Sequence, residues 1–134
     1  MVLYLEFFMK DVFKLISSDS ASARVEFHNN LNLTGCEVSV NNLPAGVAVP
    51  FVHSHKNNEE FYYVISGEGE VYVDGTVISI KTGDAFRIAP CGHRAIRALD
   101  TGLRFICVQA RANSLEGFTA DDAEINDDKA PWLK

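Results

Sequence analysis

Residues 53–67, HSHKNNEEFYYVISG, place two histidines two positions apart, a carboxylate five residues later and an apolar run that ends at glycine. Alternate residues of a β-strand point to the same face, so His53 and His55 can direct both imidazoles at one point. Residues 61–65 predict the next strand. If the two strands are neighbours, the intervening loop lets Glu60 join the histidines. Two imidazoles and one carboxylate are a common donor set for a divalent transition metal.

The spacing of this stretch extends to two flanking glycines. Gly46, six residues, His53, Ser54, His55, four residues, Glu60, six residues and Gly67 resembles the first motif of the cupin family, G-x5-H-x-H-x3–4-E-x6-G. The sequence has one extra residue before the first histidine. The resemblance covers about residues 35–110. It implies a small antiparallel β-barrel with one divalent metal ion, zinc, nickel, manganese or iron, held by the two histidines and Glu60.

A second motif follows in residues 83–93, GDAFRIAPCGH. It resembles the family pattern G-x5-P-x-G-x2-H-x3-N, again with one extra residue, before Pro90. The pattern expects its histidine at the position of Ala95, and this chain has His93 directly after Gly92. Either a shortened turn makes His93 a third imidazole ligand, or the third ligand is absent and His93 lies at the rim. We predict the first alternative, with His53, His55, Glu60 and His93 as metal ligands, so that replacing His93 with alanine weakens metal binding about tenfold or more.

Several further residues are candidates for the site. The family spacing also allows Glu59 as the carboxylate ligand, although the count to the closing glycine favours Glu60. Strand parity places Phe51, Tyr62 and Val64 on the face of the proposed ligands. Cys91 and Arg97 lie near the second motif. Arg87 and Arg94 accompany Arg97 there and could pair with an anionic ligand. The expected cavity-lining residues are Phe51, Tyr62, Val64, Cys91 and Arg97.

The rest of the chain predicts one all-β domain. About eight or nine short strands with turns between them indicate a single cupin jelly-roll barrel, a double-stranded β-helix, over residues 21–112. Asp74-Gly75 predicts a two-residue hairpin turn. Apolar residues at helical spacing over 5–16 predict a short helix within an N-terminal extension, residues 1–20. Residues 113–134 predict an irregular acidic tail, in which Phe118 and Trp132 are either solvated or docked on the barrel or a second subunit.

Composition narrows the class of partner. The chain has 134 residues and a formal charge of −6, which argues against nucleic acid as a partner. Three cysteines without a C-x-x-C pair indicate a reducing compartment, and Glu6 interrupts the apolar N-terminus, so we expect a cytoplasmic protein without a membrane-spanning segment. The resemblance, together with the apolar N-terminal segment and the tail, implies a homodimer.

Three functions are compatible with these residues. The first is a metal-dependent enzyme acting on a small organic molecule, since the cupin family includes dioxygenases, isomerases and decarboxylases. The second is a non-catalytic module that binds a sugar or metabolite. The third is a barrel with a purely structural metal. Fold alone does not choose among them.

Overall fold

Strands account for most of the regular structure in the computed structural model, which describes residues 3–9 and 12–133. The elements are β1 (Leu3–Met9), β2 (Phe13–Ser18), β3 (Arg24–Glu26), α1 (His28–Leu31), β4 (Glu37–Leu43), β5 (Asn58–Val73), β6 (Thr76–Lys81), β7 (Ala85–Ile88), β8 (Arg94–Arg111) and a 3₁₀ turn (Thr119–Asp121). The prediction of an all-β jelly-roll fold is confirmed. No helix in the described part of the chain is long and apolar enough to span a membrane.

Two long strands, β5 and β8, form the frame of the barrel. They pair antiparallel, and their register shifts twice, between Val64 and Ser66 and between Gly67 and Gly69. Before these shifts β5 also pairs with β7, and beyond them it pairs with β6. β8 pairs with β4 through its C-terminal half, and β4 pairs with β3. Because β-bulges bend a strand, β5 and β8 can each contribute to two layers that enclose one core.

The core lies between these layers. Inward-facing side chains alternate along β5, where Glu60, Tyr62 and Val64 are buried while Phe61 and Tyr63 face outward. This period of two is the pattern expected of a sheet with one buried face. The buried hydrophobic cluster consists of Tyr62, Val64, Val71, Ile80, Ile88, Ile96, Ala98, Leu103, Phe105 and Cys107.

The turn between β5 and β6 has the predicted form. Asp74 has φ of 46° and Gly75 has φ of 91°. Positive φ at both central residues defines a type I′ turn, whose twist matches that of the flanking strands. The Asp-Gly prediction is therefore confirmed.

The predicted N-terminal helix is wrong. The described residues of that segment form a β-hairpin in which β1 pairs antiparallel with β2, from Met9 opposite Phe13 to Leu3 opposite Ser18. The segment is rich in aromatic and β-branched residues, which favour strands. Cross-strand hydrogen bonds outweigh the approximate helical spacing of its apolar residues. Lys10 and Asp11, which the helix would have included, lie outside the described residues.

The segment expected as the histidine-bearing strand, residues 47–55, is only partly regular. It makes isolated bridges at Ala48 and His53, opposite Arg97 and Arg94 of β8. Pro50 lies between the two bridges, and proline has no N–H to donate to a sheet ladder. The segment therefore follows β8 in an extended path without forming a continuous strand.

The C-terminal residues do not pack on their own barrel through their large apolar side chains. Phe118 is 67% exposed and Trp132 is 80% exposed. Docking of this tail on a second subunit stays a prediction.

Candidate metal centre

Three backbone hydrogen bonds position the histidines. The His53 N–H donates to the Arg94 carbonyl at 3.0 Å, and the Arg94 N–H donates back at 2.9 Å. The His55 N–H donates to the Pro90 carbonyl at 2.8 Å. These bonds fix the chain on both sides of Ser54, and the two imidazole rings meet edge to face with centroids 5.1 Å apart.

Glu60 approaches the histidines from β5. It is 4% exposed and lies opposite Ile88 of β7 and Gln109 of β8. Its Oε1 accepts a hydrogen bond from the Tyr62 hydroxyl at 2.8 Å, and its Oε2 accepts one from the Cys107 thiol at 3.5 Å. The carboxylate is therefore oriented by two protein donors before any ligand is considered.

The donor atoms of His53, His55 and Glu60 lie within 4.8 Å of one another. Ligand atoms that share one ion lie about 3–4 Å apart, given metal–ligand distances of about 2.0–2.2 Å. Small side-chain rotations therefore bring all three onto one ion.

The histidine nitrogens also have unmet hydrogen-bonding capacity. His53 Nδ1 and His55 Nε2 are buried and have no hydrogen-bond partner among the described residues. His55 Nε2 lies 3.2 Å from Glu60 Oε2, within ion-pair distance but without hydrogen-bond geometry. Buried polar atoms are nearly always satisfied, so the unmet nitrogen on each ring supports a ligand site at this cluster.

Burial sets the protonation of the groups around the carboxylate. Desolvation lowers the pKa of His53, against the smaller opposing effect of the Glu60 charge. Metal binding requires the neutral imidazole, so this shift keeps His53 available as a ligand near neutral pH. Burial raises the pKa of the Cys107 thiol to about 12 and also raises the pKa of Tyr62, both further raised by Glu60. Both groups are therefore neutral donors to the carboxylate.

The cluster lies in a cavity of about 510 Å³, a size typical of small-molecule sites. Of the expected lining residues, Phe51, which is 58% exposed, and the buried Tyr62 border this cavity. The cavity also contains residues that the sequence did not single out as lining it. Its wall is formed by Ala23, Arg24, Asn41, Leu43, Val49, Phe51, His53, His55, Glu60, Tyr62, Val71, Arg94, Ala95, Ile96, Phe105, Cys107 and Gln109.

His93 does not join the cluster. Its side chain is exposed, and its N–H donates to Asp74 Oδ1 at 2.8 Å. Adjacent strand residues point to opposite faces, and the inward position belongs to Arg94, which is 1% exposed. The chain after Gly92 thus presents the guanidinium of Arg94 to the cavity, and Ala95, where the family pattern expects an imidazole, lines the same cavity without a ligand atom.

Other expected site residues also lie elsewhere. Val64 is fully buried in the core and does not line the cavity, and Cys91 is exposed outside it. Arg97 faces away from the cavity, and its Nε donates to Glu70 at 2.7 Å. Glu59, the alternative carboxylate ligand, faces Arg87 on the outside at 3.4 Å.

Arg94 and Cys107 line the cavity although the sequence analysis did not place them there. Strand parity could have identified both. Arg94 is in phase with Ile96 and Ala98, which are buried on the inner face of β8. Cys107 is likewise in phase with Phe105. Extending these apolar rows by one step would have placed both side chains inside the barrel.

Comparison with known proteins agrees with this architecture. The cupin domain family model matches residues 40–109. A cupin protein from Bacteroides fragilis of known structure is 50% identical, with a TM-score of 0.81 over 88% of this chain and 99% of that one. A predicted oxalate decarboxylase from Thermotoga maritima is 28% identical, with a TM-score of 0.50 over 57% of this chain and 64% of that one. An uncharacterized protein of Methanocaldococcus jannaschii is 26% identical over 82% of this chain and 85% of its own.

Proposed function

We propose that this chain, which belongs to the cupin family, binds one divalent transition metal ion through His53, His55 and Glu60 and holds a small organic molecule beside it. The observation that carries the proposal is the group of three donor atoms within 4.8 Å, two of whose residues have buried, unpartnered ring nitrogens. Zinc, nickel, manganese and iron all accept imidazole and carboxylate ligands.

The ligand count favours a role in catalysis. Catalytic metal sites keep at least one coordination position open, whereas structural zinc sites are closed by four protein ligands. With His93 facing away, the described residues supply three ligands, so positions remain for substrate or water. A metal in such a site can polarise a bound oxygen or, if it is iron, activate dioxygen. Decarboxylation, isomerisation and dioxygenation of a small molecule are the reaction types that we propose to screen first.

Metal analysis tests the proposal directly. Protein purified without a histidine tag and dialysed against zinc should retain about one equivalent per chain. His53→Ala should retain far less, while His28→Ala, a matched control on α1 outside the cluster, should behave as wild type. Less than about a tenth of an equivalent in the wild-type protein at neutral pH would overturn the proposal.

A non-catalytic binding module is the second candidate. Its support is the mainly apolar cavity of about 510 Å³ around the cluster, because such a cavity can hold a sugar or metabolite without any reaction at the metal. Turnover separates the two candidates. A compound that raises the apparent melting temperature of the metal-loaded protein by mass action, yet is recovered unchanged, would favour the binding module.

We further propose that the protein works as a cytoplasmic homodimer without nucleic acid or membrane partners. All three cysteines are unpaired thiols, which suits a reducing compartment. The formal charge of −6 opposes binding to nucleic acid. Exposed apolar side chains on the barrel surface and in the tail support self-association, and their test is given in the Discussion.

A further inference from the structure

A buried arginine faces the cavity beside the proposed metal ligands. Arg94 is 1% exposed, and its Nη2 donates to the Ala89 carbonyl at 2.9 Å. Its Nε and Nη1 are buried and have no hydrogen-bond partner among the described residues. Nε lies 3.5 Å from Glu60 Oε1, close enough for charge attraction but outside hydrogen-bond geometry.

Such a guanidinium is costly unless an anion accompanies it. A buried charge loses its hydration and requires both a counter-charge and hydrogen-bond partners. Glu60 provides the charge only partly, because it also accepts bonds from Tyr62 and Cys107 and lies beside His55. Two of the nitrogens of Arg94 therefore keep donors directed at nothing in the described chain.

Arg24, the other arginine that lines the cavity, already has hydrogen-bond partners. Arg24 donates through Nη1 to Asn41 at 2.7 Å and through Nε to Glu26 at 2.9 Å, and its side chain is half exposed. The unmet donors of the described cavity lining are thus concentrated at the histidines and at Arg94.

A bound metal ion would add to the positive charge that already lies beside Glu60 in the cavity. With a divalent ion on Glu60, the inner cavity carries two charges from the metal and one from Arg94 against a single carboxylate, a net charge of +2. The rest of the inner wall is mainly apolar, so these charges interact strongly. An anion entering the cavity would find both a metal with open positions and a planar set of unpaired N–H donors that match a carboxylate.

We infer that the cavity selects small organic carboxylates, and that Arg94 is the residue that binds the carboxylate group while the metal contacts the same molecule. This inference rests on the proposed function and specifies its ligand class. Arg94 then has a role different from that of a third metal ligand, because it sets which molecules bind without holding the ion.

Pyruvate and pyruvamide provide the test, since they match in size and differ in charge. We expect zinc-loaded wild-type protein to bind pyruvate at least tenfold more tightly than pyruvamide in isothermal titration calorimetry. Arg94→Met should reduce this preference at least fivefold. The preference that zinc itself has for an anion persists in the variant, so the difference measures Arg94 alone.

Zinc affinity, measured by competition with a chelating dye, separates loss of recognition from loss of structure. Arg94→Met should bind zinc as tightly as wild type or more tightly, because a positive charge 3.5 Å from Glu60 is removed. Arg94→Lys, which keeps the charge and loses the planar set of donors, should show an intermediate preference. Arg97→Met, a matched control whose side chain pairs with Glu70 outside the cavity, should keep both the preference and the affinity.

Two outcomes would overturn the inference. One is wild-type protein that binds the two compounds equally, a comparison that needs no variant to fold. The other is folded Arg94→Met that binds zinc and keeps the full preference for pyruvate. Failure of the proposed function looks different, because the wild-type protein then binds no zinc. Metal-free wild type that still prefers pyruvate through Arg94 would in that case support the carboxylate site alone.

Discussion

At the scale of single residues, Glu60 is the point at which the site's interactions meet. One oxygen accepts from Tyr62, the other accepts from Cys107, and His55 and Arg94 lie at 3.2 and 3.5 Å. A buried charge requires hydrogen-bond donors and opposite charges around it. Among the described residues, the Tyr62 hydroxyl, the Cys107 thiol and the Arg94 guanidinium supply them to Glu60.

Replacement of His55 should weaken zinc binding, whereas replacement of His93 should leave it nearly unchanged. His55→Ala removes a proposed ligand and should lower zinc affinity at least tenfold, about 1.4 kcal/mol. His93→Ala removes an exposed side chain outside the cluster and should change zinc affinity by less than about twofold. Competition with a chelating dye measures both. A loss of tenfold or more in His93→Ala would restore the four-ligand site that the sequence motif allowed.

The three thiols should differ in reactivity. Cys107 is buried and its pKa is raised to about 12, so at pH 8 only about one molecule in ten thousand carries the reactive thiolate. Cys91 is exposed and should react first with a disulfide reagent such as dithiobis(nitrobenzoate).

Two serine variants identify the thiols in that experiment. Cys91→Ser should abolish the fast phase, and Cys107→Ser should leave it unchanged. Rapid modification of Cys107 in the folded protein, located by mass spectrometry, would contradict the buried placement of its thiol beside Glu60.

At the scale of elements, the bend shared by β5 and β8 depends on glycine. Gly67 has φ of 90°, and a Cβ there would clash with the backbone of Gly102 on the paired strand. Gly75 has φ of 91° with open space around the position of a Cβ. An L-residue would therefore be strained at both positions, and only at Gly67 would its side chain also meet the paired strand.

Alanine variants of Gly67 and Gly75 together isolate the effect of the close approach between the backbones of β5 and β8 at Gly67. Gly75→Ala should lower the free energy of unfolding by about 1–2 kcal/mol, the cost of an L-residue in the left-handed region. Gly67→Ala should cost at least about 2 kcal/mol more, because the strands must separate at the bend. Urea denaturation followed by circular dichroism measures both. Equal losses in the two variants would show that the bend does not require close approach at Gly67.

At the scale of the whole molecule, apolar surface remains uncovered on the single chain. On the barrel strands, Phe61, Tyr63, Val77 and Ile78 are 41–59% exposed, and in the tail Trp132 is 80% exposed. Soluble monomers rarely leave large contiguous apolar patches in water. Self-association would cover such surface and would also give the tail a place to dock.

We therefore expect a homodimer in solution. Light scattering should give a mass of about 30 kDa, twice the 14.8 kDa of one chain. Trp132 is the only tryptophan, so its emission reports on the tail alone and should shift to shorter wavelength as the dimer forms. A mass of about 15 kDa at high micromolar concentration would contradict the prediction. A dimer whose tryptophan emission does not change would contradict docking of the tail.

The sequence by itself determined the barrel class, the Asp74-Gly75 hairpin and the meeting of His53, His55 and Glu60. These features depend on local rules. Alternation along a strand assigns each side chain to a face, a two-residue turn has few permitted forms, and motif spacing is counted along one continuous segment. The boundaries of the barrel domain at residues 20 and 112 were also drawn from local sequence patterns, and they stay a prediction.

Only the tertiary structure decided that the N-terminal segment is a hairpin and that Arg94 faces the cavity while His93 faces solvent. Local sequence is ambiguous at both places, because apolar spacing over 5–16 suits a helix and a strand alike, and the turn after Gly92 permits either side chain inside. The hairpin depends on pairing between β1 and β2, and the arginine on the bridge between Arg94 and His53. A shift of one residue in such pairing reverses every side chain on a strand, and residues distant in sequence set that register.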